Sequence, residues 1–328
     1  MVCLPAMTVT VSAPGKLMIA GEYAVLDGAE AIVAAVGRRA FASLVARPNE
    51  AQAHTSSTLP MEALATRMIA EARVGRQTGE ITIDTAQLRT NKDGTPTKLG
   101  LGSSAAAAAA VAGAIYAAAG RDVSDEAVRK EILEVALDGH RSIAPDGSGA
   151  DVAASVLGGF VRFRRLGQGV ETHALRWPTA VPLVVVWTGR AVRTSDMLTA
   201  VGALAQRDPD RHRACMRKLG TEADQLVSAV ISSDVTGLIQ GLDAYGSAMG
   251  VLGEAAGISI LDETTQAIRE LARSCGGAAK PSGAGGGDVV VAGFQGVNEA
   301  ATFRAGCTQK GFEVLSLDLG VYGERLEQ

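Results

Sequence analysis

Three glycine-bearing segments, each flanked by a charge or a hydroxyl, mark where this chain can do chemistry. The first, Lys98-Leu-Gly-Leu-Gly-Ser-Ser104, stands directly before an alanine-rich run. Glycines let backbone approach a ligand, and a helix opening here offers N–H groups and the positive end of its dipole, which suits phosphate. Ser103 and Ser104 are also ordinary N-cap residue types. The second, Asp146-Gly-Ser-Gly-Ala-Asp151, precedes an apolar helix that Asp151 has the side chain to cap. The third, Lys280-Pro-Ser-Gly-Ala-Gly-Gly-Gly-Asp288, lies between apolar runs, and each glycine of its triplet costs roughly 1 kcal/mol to order relative to Ala. A plain turn needs one or two glycines, so the triplet reads as a place of close ligand approach.

Familiar phosphate signatures are absent. Gly15-Lys16 is not a P-loop, because Thr10 and Leu17 stand where a glycine and a Ser or Thr are required. His140-Arg141-Ser142 lacks the aspartate of the protein-kinase catalytic loop. Gly100-x-Gly102 is followed by Ala105 instead of the third glycine of a dinucleotide fingerprint.

The elements that must position these segments follow from periodicity. Thr8 to Ser12 reads as a strand, Ala13-Pro14-Gly15 as a break, and Leu17 to Ala20 as a second strand. Ile32 to Val36, Phe41 to Val45 and Ile81 to Ile83 extend a β-rich beginning, interrupted by helical spacing from Pro60 to Arg73. From Ser103 to Ala119 the chain is nearly all alanine, and Gly120 ends the run. A helix with no polar face must be buried. Another helix is expected from Ser124 to about Leu137, with Asp125 and Glu126 in its first turn. A short helix from Asp151 to Leu157 leads to strands at Phe160 to Phe163 and Val181 to Trp187. Residues 193–273 are helical in pattern, and the end reads as a strand at Val289 to Val291, a helix near 297–310 and a strand at Val314 to Leu317. This mixed order predicts an α+β fold with a boundary near residue 180, dividing the chain into 1–180 and 181–328.

Composition narrows the function. The 328 residues carry 31 Lys+Arg against 35 Asp+Glu, so the cationic excess of a nucleic-acid binder is missing. At 4% aromatic residues, a base-stacking surface is disfavoured too. Cys3, Cys215, Cys275 and Cys307 are widely separated, which points to a reduced, cytoplasmic protein. The start shows no secretory signal, no stretch has the uncharged length of a membrane span, and Met7 is an alternative initiator.

Ala13-Pro-Gly-Lys-Leu17 with Gly21-Glu-Tyr23, Gly100-Leu-Gly-Ser-Ser-Ala105, Gly147-Ser-Gly-x-Asp151 and Ser282-Gly-Ala-Gly-Gly-Gly287 resemble the ordered motifs of the GHMP small-molecule kinases. The resemblance spans nearly the whole chain. It implies a GHMP kinase fold, with an N-terminal domain like domain 2 of ribosomal protein S5 and a ferredoxin-like C-terminal domain. ATP and a small-molecule acceptor would bind between them. Within the family the chain is most similar to the phosphomevalonate kinases, through Tyr23, His140, Asp288, and Trp187-Thr-Gly189 with Arg193-Thr-Ser195. That similarity implies 5-phosphomevalonate as acceptor, in the mevalonate pathway of isoprenoid synthesis. His140 stands where mevalonate kinases tend to carry a magnesium-binding Glu, which leaves a second Mg²⁺ ligand open.

Residue by residue, the resemblance implies Lys16 and Asp151 as the catalytic pair. It assigns Lys98, Gly100, Leu101, Gly102, Ser103 and Ser104 to ATP, with Ser104 also on Mg²⁺. Glu22, Tyr23, Ser148, Arg193, Gly283, Ala284 and Gly285 fall around the acceptor. A phosphate acceptor has a second pKa near about 6 and is largely deprotonated at neutral pH. Lys16 is therefore expected to act electrostatically and Asp151 to orient, and Lys98, Arg190 and Arg193 are the cations expected on phosphates. The competing readings are a mevalonate kinase or another alcohol kinase, the related decarboxylase, whose phosphate loop usually differs from Gly-Leu-Gly-Ser-Ser, and a non-catalytic ATP sensor. A sensor would be expected to have lost Lys16 or Asp151.

Overall fold

The computed structural model describes residues 8–45, 59–167 and 169–327, and Met7 and Cys3 lie outside them. The chain opens on two long strands, β1 (Thr8–Ala20) and β2 (Glu30–Val45). The break expected at Ala13-Pro14-Gly15 does not occur. Pro14 faces Arg39 while Gly15 faces Val36, so the irregularity is absorbed as a bulge on β2. Gly37 in that bulge donates its N–H to Asp318 O at 2.8 Å. Ile32 to Val36 and Phe41 to Val45 are accordingly parts of one strand.

Next come α1 (Met61–Val74), β3 (Glu80–Asp84) and a hairpin of β4 (Arg89–Lys92) and β5 (Thr95–Lys98) that the sequence pattern did not reveal. The alanine run is α2 (Ser103–Ala118), buried from Ala105 to Tyr116. Its small side chains let β1, β2, α1 and later helices pack closely around it. The next helix, α3 (Glu126–Ile143), is capped by Asp125, whose carboxylate accepts from the N–H groups of Ala127 and Val128. Asp125 thus precedes the first turn, and the helix passes Leu137 to bring His140 and Arg141 into its last turn. After α4 (Ala150–Leu157), β6 (Phe160–Leu166) and β7 (Gly169–Leu175) complete one antiparallel sheet, ordered β1-β2-β6-β7 with β3 on β2.

A second layer begins with β8 (Leu183–Trp187). The expected helical stretch resolves into α5 (Thr194–Arg207), α6 (Pro209–Ser232), α7 (Val235–Ala256) and α8 (Glu263–Ser274). Then β9 (Gly277–Ser282), β10 (Val289–Phe294), α9 (Val297–Gln309) and β11 (Glu313–Leu315) finish an antiparallel sheet of order β11-β8-β10-β9. Strand alternation gives this sheet two apolar faces. Val184 and Val186 pack with Ile268 and Phe303 under α8 and α9, while Val185 and Trp187 join Leu17, Ile19 and Ile32 of the first layer. The core is therefore continuous between the layers. Among the described residues no helix is long and apolar enough to cross a membrane.

The tail does not stay in the second layer, so the two layers are not two consecutive stretches of chain. A final strand, β12 (Arg325–Leu326), pairs with β1 at the edge of the first sheet. Buried Arg39 holds the approach, donating to Tyr322 O at 3.0 Å, Ser12 O at 3.0 Å and Ser12 Oγ at 2.6 Å. Glu324 is 1% exposed, and its carboxyl group faces Gly113 of α2 without a hydrogen-bond partner among the described residues. Burial pushes its pKa well above the carboxylate range, opposed by Arg129 and Arg39. The native state then holds a proton that an unfolded glutamate releases above about pH 4.3, so stability falls as pH rises from there toward the native value. Glu324→Gln cannot ionise. The loss of stability between pH 5 and pH 8, measured by urea unfolding, should be smaller in this variant; an equal loss would contradict the assignment.

Candidate active site

Three loops meet around the side chain of Lys16. On β1, Lys16 donates its backbone N–H to Leu101 O at 2.9 Å, which ties the 99–102 loop to the strand. Gly15 has to lack a side chain, since a Cβ there would lie 2.6 Å from Leu101 O. Gly102 is the N-cap residue of α2 in a left-handed conformation at φ 75°, and no side chain caps the helix. Ser103 and Ser104 are consequently the first helical residues and not caps, and both are half-buried at the helix start. A Cβ on Gly102 would stand 2.7 Å from Lys16 Cγ, so this glycine makes room for the lysine itself.

Lys16 is 7% exposed, and its Nζ lies 3.3 Å from Asp151 Oδ2. Asp151 does not cap α4. Gly149 is the N-cap residue at φ 88°, and the hydroxyl of Ser148 accepts from Ala150 N at 3.2 Å. Asp151 is the second residue of the helix, past the cap position, and its carboxylate meets the lysine instead. Its side chain keeps 34% exposure, so the pair opens to solvent on the aspartate side.

The triple-glycine segment joins β9 to β10. Gly283, Gly285, Gly286 and Asp288 all take positive φ, and a Cβ on Gly283 would come to 4.0 Å from Lys16 Nζ. The loop is held from behind. Gly286 donates to Ile260 O at 2.8 Å, and Arg190 donates to Gly286 O and to Asp262 Oδ2 at 2.9 Å. Asp288 accepts from Val192 N at 3.2 Å. Burial pushes the Asp288 carboxyl up, against the Val192 N–H, Lys16 and Lys98.

Several expected residues sit differently from the reading. Arg190 supports the glycine loop while its side chain stays 60% exposed. Lys98 and Arg193 are exposed, Lys98 at the end of β5 and Arg193 just before α5. Glu22 is 3% exposed and pairs with the Nζ of Lys280, whose role the sequence reading missed. Tyr23 has φ 63° and donates its hydroxyl to Ala284 O, and burial drives its pKa far up. Lys92, also missed, reaches from the β4–β5 hairpin to Gly189 O beside the Trp187 ring. His140 packs beside Gly147, and its Nδ1 is buried with no hydrogen-bond partner among the described residues. The only local hint of Lys280 was its place before Pro281, which the pattern assigned to a loop flank.

The geometry has relatives. The profile described as GHMP kinases N terminal domain matches residues 63–159. A phosphomevalonate kinase from Streptomyces sp. is 30% identical over 342 aligned residues, covering 87% of this chain and 89% of that protein. A mevalonate kinase from Aeropyrum pernix is 29% identical, covering 97% of this chain and 98% of that one. The structure of Streptococcus pneumoniae phosphomevalonate kinase in complex with phosphomevalonate and AMPPNP superposes with a TM-score of 0.78. It covers 94% of this chain and 99% of that one at 19% identity, a likeness of fold. With the ordered glycine loops around Lys16 and a relative of 30% identity along most of its length, the chain belongs to the GHMP kinase family.

Proposed function

We propose that this chain transfers the γ-phosphoryl group of ATP to the phosphate of (R)-5-phosphomevalonate, giving 5-diphosphomevalonate and ADP. The observation that carries this reading is the convergence of the 99–102 loop, the start of α4 and the 283–287 loop on Lys16. Similarity to the Streptomyces enzyme supports the acceptor, as do Tyr23, His140 and Asp288 in the sequence motifs.

A phosphate oxygen attacks the γ-phosphorus while the bond to the bridging oxygen of the departing ADP breaks. The attacking group needs little help from a base, because it is already largely deprotonated. Repulsion is the greater obstacle: two unit charges about 4 Å apart oppose each other by roughly 4 kcal/mol at an effective dielectric of 20. Lys16 offsets that repulsion, and the N-terminus of α2 adds the partial positive charge of a 16-residue helix. Asp151 holds the lysine head on the acceptor side. Gly100, Leu101, Gly102 and Ser103 line the phosphates, with Lys98 and Arg193 at the rim. Ser148, Gly283, Ala284 and Gly285 bound the acceptor, while Glu22 and Tyr23 act through the glycine loop.

The residues present also fit Mg²⁺. Among the described residues no group of three or more His, Cys, Asp and Glu could hold an ion alone, so the ion fits as one carried by phosphate oxygens. The Ser104 hydroxyl, half-buried at the start of α2 and not used as a cap, would join them. When bound, magnesium would supply neutralisation of the charge on the nucleotide phosphates.

Transfer to the alcohol of mevalonate is the second reading. The 3.3 Å Lys16–Asp151 contact favours it, since an aspartate so placed has the position of a general base, and the Aeropyrum mevalonate kinase matches over 97% of the chain.

The two readings separate in ADP-release assays. Wild type should turn over 5-phosphomevalonate faster than mevalonate, because mevalonate lacks the second charged group that Lys16 and the rim cations Lys98 and Arg193 would meet. A preference for mevalonate would move the chain to the alcohol kinases. Lys16→Met should lower kcat by about a hundredfold or more, at least as much as Asp151→Asn. If Asp151→Asn alone abolished turnover, proton abstraction from an alcohol would take over the account. Ser104→Ala should lower turnover at saturating ATP and magnesium without lowering the melting temperature, as Ala extends the alanine helix and no cap is lost; unchanged turnover would remove Ser104 from the site.

A further inference from the structure

The turn after β1 and the strand before the glycine loop are far apart in sequence and locked together in space. Lys280 is fully buried, and its ammonium meets the carboxylate of Glu22, itself 3% exposed. Glu22 Oε1 also accepts from the N–H of Gly283, the first loop residue, at 3.3 Å. Next to it, the Tyr23 hydroxyl donates to Ala284 O. Buried Tyr245 of α7 braces the turn from a third side, accepting from Gly21 N at 3.0 Å and donating to Glu22 O at 2.9 Å. The Lys280 ammonium lies 5.3 Å from the centre of the Tyr245 ring. The turn itself is bent, with positive φ at both Gly21 and Tyr23.

No acceptor can reach Glu22 as it stands, because its carboxylate is enclosed and taken by Lys280. A buried pair of this kind is weak evidence for stability, since apolar residues of similar volume often replace one at little cost. Its placement matters more. It fixes the start of a loop whose Gly283 stands beside Lys16, where a Cβ would lie 4.0 Å from the lysine Nζ. Four loop glycines cannot hold a position through side chains of their own.

We propose that Glu22 and Lys280, with the Tyr23 hydroxyl, are positioning residues that set the height of the 283–287 loop above Lys16, and that Glu22 does not bind the acceptor. This rests on the kinase reading of the site. Its defining consequence is a separation of stability from turnover.

The experiment compares wild type with Glu22→Leu/Lys280→Met, Lys280→Met alone and Tyr23→Phe, reading melting temperature, ADP-release kinetics and amide exchange at residues 283–287. Lys280→Met leaves the Glu22 charge buried without its cation and should melt lowest. The double variant should melt within a few degrees of wild type. Its kcat should nevertheless fall by about tenfold or more with the KM for ATP changed less than about threefold, and its loop amides should exchange faster. Tyr23→Phe, which removes only a hydroxyl, should show the same two changes in smaller measure at an unchanged melting temperature. It serves as the deciding variant should the double variant fail to fold. Wild-type kcat and loop exchange in the folded variants would overturn the proposal, as would a raised KM for the acceptor at unchanged kcat. Loop exchange reads the pin whatever the acceptor is, so a wild-type protein without transferase activity would overturn the kinase reading while the exchange result still judges the pin.

Discussion

The site depends on one ion pair, Lys16 with Asp151, and on how closely backbone can come to it. The lysine side chain passes beneath Gly102, ends 3.3 Å from the aspartate, and lies against Gly283 of the opposite loop. Any side chain at Gly102 would occupy the space of the lysine stem, and a Cβ on Gly100 would stand 2.4 Å from the Cβ of Asp288. The glycines therefore do two things at once. They leave room for a phosphate-bearing ligand, and they let side chains from different parts of the chain interleave.

The two layers serve this arrangement in different ways. The first supplies the rigid parts: Lys16 on a long strand, and the starts of α2 and α4, both anchored by buried alanine and valine packing. The second supplies the loop, which is held by contacts on both of its sides, Glu22 with Lys280 within and Ile260 with Arg190 behind. A continuous apolar core and the returning tail join the layers, with Arg39 as the staple. Rigid positioning of charge without close side chains is what an electrostatic mechanism requires.

Much of this was legible in the residues. The alanine run could only be a buried helix, and the glycine clusters marked the loops. What failed to show follows a pattern. Pro14-Gly15 reads locally as a turn, but the bulge that keeps β1 continuous lies on its partner strand, outside any local window. The β4–β5 hairpin and β7 are polar and partly exposed, so no alternation announced them. Asp151 reads as a cap until Gly149 is seen to hold the cap position. Arg190 gave no sign that it also braces the glycine loop through Gly286 and Asp262. Glu22 is marked by its motif but reads as an acceptor contact, and Lys280 reads only as the flank of a glycine loop, because their pairing is a contact across most of the chain. Local chemistry was readable, and its long-range assignment was not.

The central claim is that the new bond forms on a phosphate and not on an alcohol. Phosphorus NMR of the protein with ATP, magnesium and 5-phosphomevalonate tests this directly. The account predicts that the acceptor monophosphate signal gives way to a pair of mutually coupled diphosphate signals as ADP accumulates. A second monophosphate ester, or ATP consumption with the acceptor signal intact, would contradict it.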